Sequence, residues 1–380
     1  MIRALFVMSN LGGGGAEISL LELLSRLDRT RVEPSLFLLK HEGVHLNRVG
    51  PELAFSWACE GGNRFRYNMP RILWKALKNG PQADVIVGAM EGMPSYFAFT
   101  IAMALRKPLV GWVRTDLDKY LKPAPDWHRR AAQWIYSTCD AVVVPSNGSA
   151  HSIQRVADVP SARLHQIHNI VDSSKVISLA SEPVEASAEV FRAKPYILGV
   201  GRLNNAQKGF DLLVRAHALV RKRGIDHNLV VIGEGEDRAP LQQLARSLKV
   251  EESFKLPGFY SNPFPFFQTA RALAAPARLD GFGRIFLEAM SIGLPVIGSP
   301  ASGPTEILDK GTYGIVVPNE DVAALADAMC SLLTNDQLHA HYAKLSIERA
   351  RHYDPAIIVS QWERLLCSLL KRKGPTGPLQ

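Results

Sequence analysis

Short apolar runs of three to seven residues punctuate the chain, each followed by a polar or amphipathic stretch. Ile2–Met8 precedes an amphipathic segment at Glu17–Leu27, and Glu33–Leu39, Val85–Val87, Leu109–Val113 and Ala141–Val144 continue the series. Runs that are apolar at nearly every position predict parallel strands buried on both faces, with helices as the crossovers. The fold class this predicts is α/β. The series falters across Asp172–Lys194, where Ser, Ala, Glu and Pro dominate. It restarts with Tyr196–Val200, a helix at Phe210–Arg223, Leu229–Ile232, a helix at Arg238–Leu248, then Leu273–Ala275 and Pro295–Ile297. The break predicts two α/β domains, residues 1–185 and 186–354, followed by a helix at about Pro355–Leu370 and a frayed basic tail within residues 355–380.

A length of 380 residues fits two domains of roughly 100–200 residues each. A hydrophobic share of 47% with 21% charged residues excludes a disordered chain. The formal charge of +8 raises the question of a nucleic-acid partner, which its distribution answers. Cut at residue 190, the halves hold 21 basic against 18 acidic and 23 against 18, so the excess is +3 and +5 and neither half is a basic module. Such a diffuse excess suits an anionic small substrate or a membrane surface, with no nucleic acid. Cys59, Cys139, Cys330 and Cys367 form no C-x-x-C pair and have no histidine at metal-ligand spacing. They read as reduced thiols of a cytoplasmic protein. The apolar stretch within Met1–Asn10 is a first strand rather than a signal peptide, and no run reaches the roughly 18 apolar residues of a membrane span. The protein is expected to be soluble, or peripheral at the inner face of a membrane.

The densest chemistry lies in Asp280-Gly-Phe-Gly-Arg-Ile-Phe-Leu-Glu288. A strand ends near Ala275, a loop flanked by Gly281 and Gly283 turns, and a helix begins near Arg284. Ligands of open α/β sheets bind at such strand ends, where the new helix presents unpaired N–H groups. Glu288, within the first two turns, leans back toward the same crevice, suited to accepting bonds from vicinal hydroxyls such as those of a ribose.

This segment resembles the E-x7-E motif of the retaining glycosyltransferases of family four, with Asp280 in place of the first glutamate. Gly201-Arg-Leu and Gln207-Lys-Gly-Phe-Asp-Leu-Leu213 resemble the family's strand-loop-helix that carries a diphosphate-binding arginine and lysine, here Arg202 and Lys208. Gly233-Glu-Gly235, Gly258-Phe-Tyr260, Ser302-Gly-Pro-Thr-Glu306 and Tyr313-Gly314 fall in the family's order, as do the glycine loop Gly12–Gly15 and Asn169-Ile-Val-Asp172. The resemblance covers nearly the whole chain. It implies a GT-B fold, two facing Rossmann-like domains with a central cleft, the second binding the nucleotide sugar and the C-terminal helix returning to the first. It implies transfer of a sugar from a nucleotide diphosphate donor, uridine-based, to a glycan or lipid-linked acceptor with retention, as in polysaccharide, lipopolysaccharide or glycolipid biosynthesis. Catalysis would rest on Asp280, Arg202 and Lys208. Donor contacts would come from Gly13, Gly14, Arg202, Lys208, Gly258, Phe259, Asp280, Gly281, Phe282, Gly283 and Glu288. No cofactor and no metal are expected. Where family members often carry a histidine facing the donor sugar, this chain has Arg114, always charged and no general base, which could instead contact a phosphate or an acidic acceptor group.

Several features have plainer readings. Arg202 and Lys208 taken alone would be surface cations, and Gly12–Gly15 alone a flexible turn. Glu306 fits helix-start chemistry, with Pro304 at the first helical position. Asp116-Leu-Asp118 matches a D-x-D metal pattern, but nothing nearby completes an oxygen shell, so no metal is assigned there. His165 and His168 read as structural. Asn63–Lys78 interleaves five cations with Phe65, Tyr67 and Trp74 and has no acid. It suits an anionic membrane surface and, equally, a solvated helix with core aromatics. A nucleotide-sugar epimerase of similar build and a non-catalytic sugar-nucleotide-binding protein are the alternatives; transfer, epimerised donor or binding without turnover separates the three.

Overall fold

The computed structural model describes residues 1–12, 14–61, 69–79, 82–183 and 190–371, and within them the chain divides into two compact units. Met1–Ile170 together with the segment from Pro355 forms unit 1, and Val171–Asp354 forms unit 2.

Unit 1 is built on seven parallel strands: β1 (Ile2–Met8), β2 (Val32–His41), β3 (Ala54–Glu60), β4 (Val85–Gly88), β5 (Leu109–Trp112), β6 (Ala141–Val144) and β7 (Leu164–Gln166). Their order is β3-β2-β1-β4-β5-β6-β7, with Ile2 opposite Val32 and Ala4 opposite Val85. The central strand explains the unbroken apolar run. Ala4, Phe6 and Met8 enter one core layer while Leu5 and Val7 enter the other, so every position from Ala4 to Met8 is buried. The helix Pro355–Lys371 closes the first layer. Its fully buried Trp362 meets Trp112 at 4.5 Å and Phe6 at 6.2 Å between ring centroids. Beside it Glu363 accepts from Arg31 Nη1 at 2.6 Å and from the backbone of Asp28 at 2.9 Å.

Unit 2 has six parallel strands: β8 (Tyr196–Val200), β9 (Asn228–Ile232), β10 (Phe254–Gly258), β11 (Ala272–Ala275), β12 (Val296–Gly298) and β13 (Ile315–Val316). They run β10-β9-β8-β11-β12-β13. Both sheets therefore reverse their winding beside the first strand, between β1 and β4 and between β8 and β11, the doubly wound arrangement whose switch point holds ligands at the carboxyl ends of the strands.

The units divide at Ile170/Val171, ahead of the 185/186 division expected from composition. Asp172 caps the helix Ser173–Ala180, accepting from Lys175 N at 3.0 Å. That helix packs on Phe264–Thr269 and Arg284–Ser291, with Ser173 Oγ and Ser291 Oγ 2.9 Å apart. The tertiary contacts of this helix thus precede the compositional break. The expected helix start at Pro304 also shifts. The helix is Ser302–Ile307, and Gly303 N inside it donates to Asp280 O at 3.2 Å. Asp116 and Asp118 are held by neighbouring groups of unit 1. Asp116 caps Leu117–Leu121 and accepts from Ser152 Oγ at 2.6 Å, while Asp118 pairs with Arg129 at 2.8 Å and Arg155 at 3.3 Å. His168 Nδ1 lies 2.8 Å from Pro145 O, a tie within unit 1.

Candidate active site

At the switch point of unit 2, the loop after β8 carries Arg202 and leads into the one-turn helix Asn205–Lys208. The loop is pinned beside the end of β9 by Gly201 N to Ile232 O at 3.0 Å and Leu203 N to Glu234 O at 2.9 Å. The Lys208 stem passes beside Gly201, and Arg202 is exposed, its guanidinium without an ion-pair or hydrogen-bond partner among the described residues. Gly209, at φ +66°, ends the turn and starts the helix Phe210–Lys222. A β-carbon there would strike the Pro276 carbonyl, so only glycine permits both the left-handed backbone and the close approach of the loop that follows β11.

That second loop brings Asp280 to Lys208. Lys208 Nζ donates to Asp280 Oδ2 at 3.0 Å across 72 residues of sequence. Asp280 Oδ1 accepts from Phe282 N at 3.1 Å and Gly283 N at 2.7 Å. This is the Asx geometry that a short acidic side chain makes with the amides two and three residues on, and a glutamate is one methylene too long to reproduce it. Burial alone would push the Asp280 carboxyl up, but the Lys208 charge and hydrogen bond with the two amides outweigh it and hold the group below its ordinary value. Asp280 is a fixed anion. The amides of Phe282 and Gly283, two of the expected donor contacts, both donate to this carboxylate. The Phe282 ring is buried, 6.0 Å from Tyr353, and Gly281 is buried beside it.

Gly283, at φ +81°, caps the helix Arg284–Ser291. Glu288 lies on this helix, but it is buried and its Oε1 accepts from Arg284 Nε at 2.7 Å, an ion pair one helical turn long. Gly258 ends β10 and Phe259 beside it is half exposed; β10 is the sheet edge, separated from β8 by β9. Lys208, Asp280, Phe282 and Gly283 are thus joined directly at the β8/β11 switch, Arg202 follows β8 on the loop that leads to Lys208, Glu288 is tied to Arg284 on the helix that Gly283 caps, and Gly258 and Phe259 stand at the end of the edge strand β10.

Arg278 organises the junction and was not singled out from sequence. Its backbone N and that of Leu279 donate to Gln207 O at 2.9 and 3.1 Å, and its Nη1 donates to Asn205 O at 2.6 Å. The same guanidinium grips Asp211 at 2.6 and 3.0 Å and Glu320 at 2.6 and 2.9 Å, which raises its already high pKa. Carbonyls at the end of the Lys208 turn are thus held by the loop that carries Asp280. Arg284 was likewise passed over, although its spacing of four from Glu288 was readable. Glu306 has its backbone carbonyl, with that of Ile307, taken by Arg349 at 2.6 and 2.8 Å.

Unit 1 has its own group at the ends of β1, β4 and β5. Gly13 lies outside the described residues; Gly14 caps the helix Gly15–Arg26, and buried Glu17 sits against it in the first turn. Arg114 is buried, stacks 3.7 Å over the Trp112 ring and donates through Nη2 to Ala16 O, in the same first turn. Its backbone N donates to Glu91 Oε2 at 3.0 Å. Burial pushes the Glu91 carboxyl up, and the charge of Glu17 adds to this. Glu91 follows the short strand β4 with no motif to mark it. Among the described residues no group of three or more His, Cys, Asp or Glu is placed to hold a metal ion, and no helix is long and apolar enough to cross a membrane.

Residues 13–175 match the family model described as Glycosyltransferase Family 4, and residues 194–335 match that described as Glycosyl transferases group 1. The alpha-D-kanosaminyltransferase of Streptomyces kanamyceticus is 25% identical over 303 residues, 72% of this chain and 75% of that protein. The N-acetylgalactosamine-N,N'-diacetylbacillosaminyl-diphospho-undecaprenol 4-alpha-N-acetylgalactosaminyltransferase of Campylobacter jejuni is 24% identical over 221 residues, 58% of each. The chain thus spans between about half and three quarters of these relatives. Among solved structures, Anabaena HepE in complex with UDP-glucose superposes with a TM-score of 0.83 at 19% identity, covering 97% of this chain and all of that one.

Proposed function

The chain belongs to the family-four, group 1 glycosyltransferases, of GT-B fold, and from that premise we propose that it moves a sugar from a uridine diphosphate sugar to a glycan or lipid-linked acceptor, with retention at the anomeric carbon. The observation that carries this reading is the pairing of Lys208 with Asp280 beside exposed Arg202 at the β8/β11 switch. A departing diphosphate needs preformed positive charge at the carbon–oxygen bond that breaks, and the two cations of the segment between β8 and Phe210–Lys222 supply it. Asp280 holds the Lys208 ammonium at 3.0 Å, which positions the cation for the diphosphate. Arg202 takes the second phosphate as a fork. Glu288, steadied by Arg284, accepts the ribose hydroxyls. No metal takes part.

The uridine assignment draws support from the UDP-glucose bound by Anabaena HepE, and the lipid-linked acceptor from the diphospho-undecaprenol substrate named for the Campylobacter relative. Unit 1 offers the acceptor its β1, β4 and β5 ends, where Gly14, Glu91 and Arg114 gather. The cell-surface role, in polysaccharide or glycolipid assembly, follows from such an acceptor. The test is a thermal-shift screen over nucleotide diphosphate sugars, then nuclear magnetic resonance of the product formed with the best donor. A uridine sugar giving the donor's own anomeric configuration is expected. Preference for a guanosine or adenosine donor, or an inverted product, would overturn the corresponding part.

A further inference from the structure

One guanidinium of unit 2 reaches the loop that carries Asp280 by two routes. Arg349 stands near the end of the helix Asp336–Arg351. Its Nη2 donates to Glu306 O at 2.6 Å and its Nε to Ile307 O at 2.8 Å. These are the last two carbonyls of the helix Ser302–Ile307. Carbonyls at a helix end have no partner within the helix, and a planar cation across two of them satisfies both and meets the negative end of the dipole. At six residues the helix is too short to be stable by itself, so what holds its ends decides where it sits.

The other end of that helix lies on the Asp280 loop. Gly303 N donates to Asp280 O at 3.2 Å, and a β-carbon on Gly303 would strike the Phe282 backbone. Helix and loop are thus in backbone contact, with no side chain between them to absorb a shift. The second route runs through rings. The Arg349 guanidinium carbon is 4.8 Å from the Tyr313 ring centroid and 5.3 Å from that of Tyr353, within cation–π range of both. Buried Tyr353 meets the Phe282 ring edge to face, centroids 6.0 Å apart. Phe282 supplies one of the two amides that bind Asp280 Oδ1. Both routes end on Asp280–Gly283, and the Asp280 carboxylate holds Lys208.

We propose that Arg349 is a positioning residue for the Lys208–Asp280 pair: it fixes the loop that sets the place of the ammonium. The inference rests on the diphosphate reading of that pair. Arg349 acts through Asp280 and not on the donor, its guanidinium being given to the carbonyls of Glu306 and Ile307 and to two rings. Lysine would keep a charge at the helix end but lose the planar fork that reaches both carbonyls, and methionine would lose charge and fork together.

Titration calorimetry with UDP on the whole chain tests this in a cycle of Arg349→Met, Lys208→Met and the double variant. Arg349→Met should weaken UDP affinity about 10-fold, the size of effect that residues remote from a ligand exert through packed contacts. In the Lys208→Met background the same change should cost less than about twofold, since the ammonium it positions is gone. Arg349→Lys should fall between parent and Arg349→Met, and it carries the test if the methionine variant does not fold. Without nucleotide, the carbon-13 signal of the Asp280 carboxyl should titrate at higher pH in Arg349→Met, because the Lys208 charge and hydrogen bond that hold it low are loosened. UDP affinity undiminished in both Arg349 variants, beside a loss in Lys208→Met, would overturn this inference alone. So would an Asp280 carboxyl that titrates as in the parent, or equal losses of UDP affinity on removing Arg349 with and without Lys208. A parent chain that binds no UDP would overturn the diphosphate reading and this inference with it.

Discussion

Replacing Lys208 by methionine separates two jobs that one ammonium performs. It neutralises Asp280 at 3.0 Å, the two side chains being 30% and 15% exposed. Without it, Asp280 keeps only the amides of Phe282 and Gly283. Breaking a fully buried pair costs roughly 3–5 kcal/mol; the exposure remaining here lowers the expected loss of stability to about 2 kcal/mol. On the ligand side, a hydrogen bond to a charged group is worth about 1.5–3 kcal/mol, which predicts a 10- to 100-fold weaker affinity for UDP, as an order of magnitude. The double variant Lys208→Met/Asp280→Asn tells the jobs apart. With both charges gone, stability should return to within about 1 kcal/mol of the parent, because no uncompensated anion is left. Affinity for UDP should stay low. Urea unfolding reads the first quantity and titration calorimetry with UDP reads the second. Undiminished UDP affinity in Lys208→Met, or affinity regained in the double variant, would refute the assignment of this lysine to the diphosphate.

Further outcomes follow from other parts of unit 2. Arg278→Met should leave UDP bound but lower kcat more than it raises the donor KM, since it frees the Asn205–Lys208 turn without removing a ligand contact; equal kinetics in variant and parent would show that the turn holds itself. His217 and His227 are fully buried, 2.9 Å apart, with Ser253 Oγ 2.9 Å from His217 Nε2. Burial, then the neighbouring His227 and Arg221, lower the His217 pKa from 6.5 to about 3. Its folded pKa lies below its unfolded one, so the stability it contributes is present above about pH 6.5 and lost as pH falls toward 3, at about 1.4 kcal/mol per pH unit. Urea unfolding at stepped pH should show at least that slope, and His217→Gln should reduce it, leaving the part that His227, itself lowered by burial, contributes. Activity should survive EDTA unchanged, because Arg202 and Lys208 meet the diphosphate charge; rescue by added manganese or magnesium would contradict this.

How far the molecule could be read beforehand depended on where each residue's partners lie. Ala141–Val144 and Leu229–Ile232 are buried at every position, and an unbroken apolar run is the direct imprint of that burial. β13 is two residues long, and β3 lies at a sheet edge with its first and last residues exposed, so their patterns resemble loops, whereas half-buried β7 leaves only a strand-like trace beside His165. Lys208 and Asp280 stand out only through the family resemblance of their motifs, since Lys208 taken alone reads as a surface cation. Arg278 does not, because its significance lies in Asn205, Asp211 and Glu320, which no local pattern ties to it. Glu288 shows the intermediate case. Its position on the helix was readable, but its commitment to Arg284 depends on both side chains being buried, which only packing decides.

The most direct test is UDP release from a panel of uridine diphosphate sugars, measured on the parent chain and on Arg202→Ala and Lys208→Ala. The parent should turn over at least one donor, and each variant should fall by 100-fold or more, about 2.7 kcal/mol of lost transition-state stabilisation. Turnover that persists at the parent rate in both variants would contradict the diphosphate site at the β8/β11 switch.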